Sequence, residues 1–367
     1  MRPAVPRTLL LLALAACARP EQARPTDSAL AAGDSAGGTG SAAAPRLASD
    51  ATLAVFTRGD WVPTLRAAAD AFAEREGVLV VIDTAVAAGG DSAYLEGAQR
   101  ADLVLDSHDR VARLAARDIA SWRLRFAGDR IVLAWRDSLP RDLSLTPETW
   151  WEGLLRSRVR VGRADPLASD LGRRTLLMMQ LAERASGERR LALRLAQRSP
   201  ARDIYRSADA LGAAVDSGAI ALAWTYESAA RRRGWRSMPL GDAVDLGDPA
   251  HDSAYAQATI VVPAPSAASG GAPGLPSGAR AGGDSVSVRG TAMSHVLTIP
   301  GRARNPSFAE RFLRFLFSSD GRPLLERAPF VVSDSLRVTG RDVPAAVLAL
   351  PGVSVVADSV SPAAPRP

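Results

Sequence analysis

Short apolar runs of strand length alternate with stretches of helical periodicity along most of this 367-residue chain, and that alternation limits the fold before anything else does. Residues 52–56 (TLAVF), 78–82 (VLVVI), 101–105 (ADLVL), 130–135 (RIVLAW), 159–161 (VRV), 219–224 (AIALAW), 258–262 (ATIVV) and 295–299 (HVLTI) read as strands. The run 78–82 has no polar position and reads as buried on both faces. Between the strands, 62–75 places Leu65, Ala68, Ala69 and Phe72 on one helical face, and 107–117, 147–155, 171–185, 207–215 and 306–317 carry the same spacing. Ser107 or Asp109 is placed to cap its helix, Pro147 sits near a first turn, and Gly218 stops the helix before it. Strands alternating with helices predict an α/β protein with parallel sheets. No internal repeat interrupts the pattern, and the length suffices for two lobes with separate cores.

The two ends and one internal stretch fall outside this pattern. Arg2 and Arg7 precede a leucine-rich run that closes on Leu14-Ala15-Ala16-Cys17, too short to span a bilayer and built like an export signal. Its end resembles the lipobox of bacterial lipoproteins, which implies lipidation of Cys17 and removal of residues 1–17. Residues 18–50 are Ala, Gly, Ser, Pro and scattered charge, a composition expected of a flexible tether. Residues 263–284 (PAPSAASGGAPGLPSGARAGGD) read as a low-complexity surface insertion, extending to about 287, and the chain after Val356 reads as a frayed tail.

Cys17 is the sole cysteine, so no intrachain disulfide forms, and zinc ribbons and redox pairs are excluded. The formal charge is +6, and every basic residue is arginine. These arginines are scattered; the one run, Arg231-Arg232-Arg233, suits the last turn of a helix, where a cation meets the negative dipole end. With no aromatic-interleaved basic face, nucleic acid is not an expected partner.

The segment Arg125-Phe126-Ala127-Gly128-Asp129-Arg130-Ile131-Val132-Leu133-Ala134-Trp135 is similar to the "RFARNRLVLAY" segment of the substrate-binding lipoproteins of molybdate/tungstate-type ABC importers. Further pieces resemble that family in its order: Thr149-Trp150-Trp151-Glu152-Gly153-Leu154-Leu155, the run from Val161 through Asp165-Pro166 and Gly172-Arg173-Arg174 to Glu183, Tyr226-Glu227-Ser228-Ala229-Ala230, and Leu297-Thr298-Ile299-Pro300 with Asn305-Pro306, Phe312, Phe315-Leu316 and Asp320-Gly321. The resemblance runs from about Thr52 to Phe330. It implies a two-lobed periplasmic-binding-protein fold of type II, a hinge of two or three crossing strands, and a small oxyanion in the cleft between lobes. Residues 51–129 with about 300–350 would form the first lobe, 130–299 the second, and 351–367 a tail. It also implies a monomer without cofactor that hands its ligand to an ABC permease and ATPase and touches the membrane through its lipid alone.

Open α/β sheets favour such a site on their own physics, since loops leaving the strands lead into helix N-termini whose free N–H groups suit an anion. The family's first loop, F-x-A-G-S-L, reads Phe56-Thr57-Arg58-Gly59-Asp60-Trp61 here, which nominates Thr57 and Gly59 and puts Asp60 under the ligand-binding serine. A carboxylate there repels a dianion, so Asp60 turns away, pairs with Arg58, or marks another ligand. The second loop shortens to Gly89-Gly90-Asp91-Ser92, leaving Ser92 as its hydroxyl. Alignment on Gly172 puts Ser169 under a family aspartate, with Asp170 one step on. Asp170 reads more readily as a helix cap than as a ligand contact. Tyr226, Glu227 and Ser228 match the family's Y-x-S, with Glu227 and Ser228 equally suited to a helix first turn.

A binding protein whose Asp60, Asp91 and Glu227 face a cation, an amine or a sugar is the alternative. An exported hydrolase has less behind it, because no H-E-x-x-H or G-x-S-x-G motif is present and S-x-x-K needs a lysine. His108, His251 and His295 lack metal-ligand spacing and read as structural or solvated. Trp150, Trp151 and Trp224 read as core, whereas Trp61 is expected at the rim of the cleft.

Overall fold

The computed structural model describes residues 51–84, 90–139, 143, 145–263, 280–282 and 285–356. Cys17, the tether 18–50, most of the low-complexity insertion and the tail after residue 356 lie outside the described residues. In chain order the strands are β1 (Thr52–Thr57), β2 (Leu79–Thr84), β3 (Leu103–Ser107), β4 (Trp122–Gly128), β5 (Ile131–Trp135), β6 (Val161–Ala164), β7 (Ile204–Tyr205), β8 (Leu222–Tyr226), β9 (Arg236–Pro239), β10 (Thr259–Pro263), β11 (Arg280–Gly282), β12 (Ser285–Arg289), β13 (Ser294–Thr298), β14 (Val331–Gly340) and β15 (Val353–Val355). The helices that matter here are α1 (Val62–Glu76), α2 (Gly90–Arg100), α3 (His108–Ala115), α4 (Trp150–Arg156), α5 (Asp170–Ser186), α6 (Leu191–Gln197), α7 (Ala208–Asp216), α8 (Glu227–Arg232), α9 (Asp252–Tyr255) and α10 (Pro306–Leu316).

Local chemistry accounts for their limits. α1 has a proline in its first turn and ends at Gly77 with φ 68°, and α5 ends the same way at Gly187 with φ 72°. Ser207 caps α7 by accepting the N–H of Ala210. Pro147 precedes α4 rather than opening it, because the helix starts at Trp150.

The strands form a seven-stranded sheet in the order β15-β14-β4-β13-β3-β1-β2, a five-stranded sheet in the order β7-β6-β8-β5-β9, and a small sheet β10-β12-β11. The sheets are mixed, not purely parallel as the alternation suggests. β1, β2 and β3 run parallel, as do β6, β7 and β8, but β13, β4, β5 and β9 enter antiparallel. The reason is topological: the chain leaves one sheet through β4 into β5 and returns through β13, and a returning strand reverses direction. β2 is an edge strand with alternating exposure, and Leu79 and Val81 face solvent although the run is continuously apolar. Strands β11 and β12 fold the end of the expected insertion, 280–289, onto β10. β13, which lies before the expected lobe boundary at 299, is central to the seven-stranded sheet.

Two lobes result, each with its own interior. One core gathers Leu53, Val55, Leu65, Phe72, Phe126, Phe312 and Leu316 around the seven-stranded sheet; the other gathers Ile131, Leu133, Trp150, Leu177, Met178, Trp224 and Val286. The two crossings pair with each other and with lobe two through Asp129 N–H to Met293 C=O (3.1 Å), Ile131 N–H to Asp245 C=O (2.9 Å) and Met293 N–H to Leu246 C=O (2.8 Å). Strands β1, β3, β6 and β8 end toward the junction and lead into a 3₁₀ turn (Gly59–Trp61), α3, α5 and α8. α5 lies close on its own loop. A Cβ at Gly172 would sit 2.4 Å from the carbonyl carbon of Asp165, so only glycine fits. Among the described residues no helix is long and apolar enough to cross a membrane.

The buried carboxylate of Asp102 accepts the backbone N–H of Ala54 (3.0 Å) and of Asn305 (2.7 Å), tying β1 to the start of α10. Asp102→Ala leaves both donors without an acceptor, and urea unfolding should show a loss of about 3 kcal/mol; a change within about 0.5 kcal/mol would mean that these bonds add nothing.

Candidate functional site: the cleft between the lobes

Where the strand ends of the two lobes meet, charge crosses from one lobe to the other. Arg174, in the first turn of α5, is 9% exposed. Its Nε donates to Asp170 (2.7 Å) in its own lobe and its Nη2 donates to Asp109 of α3 in the other (3.0 Å). The Tyr226 hydroxyl, at the end of β8, donates to the same Asp170 oxygen at 3.2 Å. Burial pulls the Arg174 pKa down, but Asp170 and Asp109 outweigh it and hold the guanidinium charged. Burial, then the Asp170 charge, push the Tyr226 phenol well above its ordinary range, so it stays a neutral donor.

The first lobe contributes a second guanidinium. Arg58 donates to Asp60 at 3.0 Å and lies in the field of Asp106 and Tyr226, which together with Asp60 overcome its desolvation and raise its pKa. Asp60 also faces Arg232 of α8 at 3.8 Å, a second bridge between lobes. Asp106, at the end of β3, is fully buried; burial raises its pKa against the pull of Arg58 and Arg110.

His295 lies within electrostatic reach of both guanidinium groups. It is 5% exposed and its Nδ1 accepts the indole N–H of Trp61 at 3.2 Å. Burial first, then Arg58 and Arg174, drive its pKa well below 6.5, so the imidazole is neutral and its Nδ1 is an acceptor. Trp61 is therefore not a rim residue. It is fully buried, stacked on Phe330 and tilted against Phe126, with its indole N–H satisfied by the interior imidazole.

The residues nominated from sequence divide. Thr57 is fully buried at the end of β1, with Oγ1 lacking a hydrogen-bond partner among the described residues. Gly59 opens the 3₁₀ turn with free space beside its Cα, and Asp60 pairs with Arg58 as one of the three expectations held. Asp170 and Tyr226 join the cross-lobe network, Asp170 as the first helical residue and not as a cap. Ser169 is the N-cap residue of α5, and its hydroxyl makes no cap bond. Ser92 stands exposed in the first turn of α2.

Glu227 and Ser228 are engaged elsewhere. Glu227 accepts from Arg130 (2.7 and 3.3 Å) and Arg231 (2.8 Å), which hold its pKa below the usual range against the effect of burial. The Ser228 hydroxyl donates to Asp129 at 2.6 Å, and its N–H donates to the same carboxylate at 3.1 Å. Both brace α8 against the hinge. Reasoning from sequence missed Arg174, Asp109, Asp106 and His295 as cleft residues; Arg174 alone carried a signal, as part of the Gly172-Arg173-Arg174 piece of the family resemblance.

The state of His295 has a measurable consequence. An unfolded chain takes up a proton on this imidazole below pH about 6.5 and the folded one does not, so its contribution is complete above that pH and is lost below it, by up to about 1.4 kcal/mol per pH unit. Denaturation of the wild type and His295→Asn between pH 8 and pH 5 should show this extra slope in the wild type alone. Parallel curves would mean that His295 is protonated in the folded protein.

The chain can now be set beside known proteins. An uncharacterized solute-binding protein of Petrotoga mobilis is 24% identical over 216 residues, 59% of this chain and 63% of that protein. A molybdate/tungstate-binding protein of Thermococcus kodakarensis is 23% identical over 246 residues, 61% of this chain and 64% of the relative. The chain thus spans less than two thirds of the length of either. The periplasmic molybdate-binding protein of Azotobacter vinelandii superposes over 77% of this chain and 99% of its own, with a TM-score of 0.42 and 16% identity. The family described as bacterial extracellular solute-binding protein matches residues 53–331, nearly all of both lobes, and the chain belongs to that family.

Proposed function

We propose that this protein captures a small tetrahedral oxyanion of the molybdate or tungstate kind in the cleft between its lobes, for delivery to an ABC permease and its ATPase. The observation that carries the reading is the approach of two guanidinium groups from opposite lobes, Arg58 and Arg174, to one neutral buried imidazole. Three features add to it. Thr57 Oγ1 is buried without a partner, Tyr226 is held as a neutral phenol, and Arg173, 4% exposed beside Asp170, has Nε and Nη2 without hydrogen-bond partners among the described residues. These are donors suited to an oxyanion, at the N-terminus of a 17-residue helix. The name of the Thermococcus relative points to the same ligand class.

Binding here is an exchange. Asp60, Asp109 and Asp170 neutralise the guanidinium groups, and an incoming dianion takes over those donors while the carboxylates turn to solvent or accept a proton. The same carboxylates favour a second reading, in which an amine or other cation meets Asp60 and Asp109.

Titration calorimetry with molybdate, tungstate, sulfate and phosphate decides between them. The first reading expects saturable heat with at least one anion, a loss of about 10- to 100-fold in Arg174→Ala, and affinity kept or raised in Asp60→Ser. No heat with any of the four removes it, and anion binding abolished by Asp60→Ser counts against it. Export and anchoring follow from the leader: Cys17 would carry lipid, and Cys17→Ser should move the protein from the membrane fraction to the soluble one.

A further inference from the structure

Behind the hinge lies a cavity of about 340 Å³ that none of the cleft residues Thr57, Gly59, Asp170 or Tyr226 lines. Its walls come from both lobes. On one side are Arg125 of β4 and Arg337 of β14, which are direct cross-strand partners and therefore project from the same face of the sheet. Two like charges set opposite each other destabilise a strand pair unless something neutralises them. Asp252 neutralises Arg125 in part as an ion pair at 3.8 Å, and among the described residues no carboxylate pairs with Arg337. Burial, and then Arg337 and Arg123 against the opposing pull of Asp252, lower the pKa of Arg125. On the other side are Asp242, Asp245 and Asp248, from the loop after β9.

Two buried atoms of this lining lack hydrogen-bond partners among the described residues. Ser294 Oγ belongs to a residue 5% exposed at the start of β13, and Asp245 Oδ2 to one with no exposed surface. Unpaired buried polar groups are costly, and both residues belong to the lining of the cavity. Among the described residues no three carboxylate, imidazole or thiolate groups are placed to hold a metal ion. The cavity presents Arg125, Arg337 and a hydroxyl on one wall and three carboxylates on the other, with Asp129 and Arg130 of the crossing also in its lining, at the small end of the range for ligand sites.

We infer that this cavity is a second binding site, separate from the cleft, for a small zwitterion whose anionic group meets Arg125, Arg337 and Ser294 and whose ammonium meets Asp245 with Asp242 and Asp248. An ammonium also settles the Asp245 carboxyl, whose pKa burial pushes up to about 6. Because the two walls belong to different lobes, such a ligand binds one arrangement of the lobes and favours it, so it tunes how readily the cleft closes.

Calorimetry on the purified full chain with glycine, L-serine and phosphoethanolamine, and with acetate and ethylamine as half-ligands, tests the site. The inference expects one equivalent of at least one zwitterion to bind with Kd below about 1 mM, and about tenfold or more tighter than either half-ligand. It expects Arg337→Gln and Asp245→Asn each to weaken that binding about tenfold or more, and Thr57→Ala, a cleft change that breaks no bond between the lobes, to retain it. Should Asp245→Asn fail to fold, Arg337→Gln still gives the answer, since it only removes one of two like charges. No saturation by about 10 mM with any zwitterion, half-ligands that bind as tightly, unaltered binding in Arg337→Gln, or loss in Thr57→Ala would each overturn it.

Discussion

Arg174 carries a permanent positive charge into a place almost closed to water, and much of the cleft is arranged around that fact. An unpaired buried guanidinium would cost several kcal/mol, so Asp170 comes from the same helix turn and Asp109 from the opposite lobe. Removing one partner of such a set typically costs about 3–5 kcal/mol, much of it from the charge left behind. The network therefore says little about net stability and much about geometry. Arg174 satisfies its donors only when α3 and α5 face each other, and Asp60 with Arg232 repeats the condition on the far side of the Arg58 turn. The same bonds hold the lobes together and neutralise the cleft.

A second set of polar contacts lies just behind and does a different job. Asp129 occupies the crossing between β4 and β5, and its carboxylate takes up the N–H of Arg130 and both donors of Ser228. Glu227 clamps Arg130 of the same crossing and Arg231 one turn along α8. These bonds fix the end of β8, and so Tyr226, relative to the hinge. A residue can thus stand in a ligand motif by position and still serve the frame, as Glu227 and Ser228 do here, because the strand-to-helix turn that presents one side chain must be held by its neighbours.

Much of the architecture was legible in sequence. The apolar runs at 52–56 and 130–135 and the helices at 62–75 and 171–185 lie within a residue or two of β1, β5, α1 and α5, since burial of one face imposes a period that survives in the letters. β4 and β14 escaped because arginines and serines break their patterns: Arg123, Arg125 and Arg337 sit on strands whose polar face borders the hinge cavity instead of plain solvent. β2 misled in the other direction, an apolar run on an edge. In the cleft, Thr57, Asp60 and Tyr226 could be nominated from the family resemblance of their loops, whereas His295 and Asp109 could not. Their roles depend on which strand lies beside which, and β13 reaches β3 only after the chain has built the whole second lobe.

The arginine-only composition gives this arrangement its last property. A buried lysine sheds its proton when its counter-ion leaves, and its site becomes neutral. Guanidinium does not, so the cleft cannot lose its positive charge by titration and can lose it only by pairing. With Asp60, Asp109 and Asp170 in place the pairing is internal, and on the proposed function an oxyanion would enter by replacing carboxylates that offer the same donors a similar acceptor geometry. Selectivity would then rest on the difference between two sets of charge-assisted hydrogen bonds, not on the sum of one. A ligand with too little charge density would leave the internal pairs intact and the donors occupied, so under the proposed function a cleft lined by carboxylates would still select for anions.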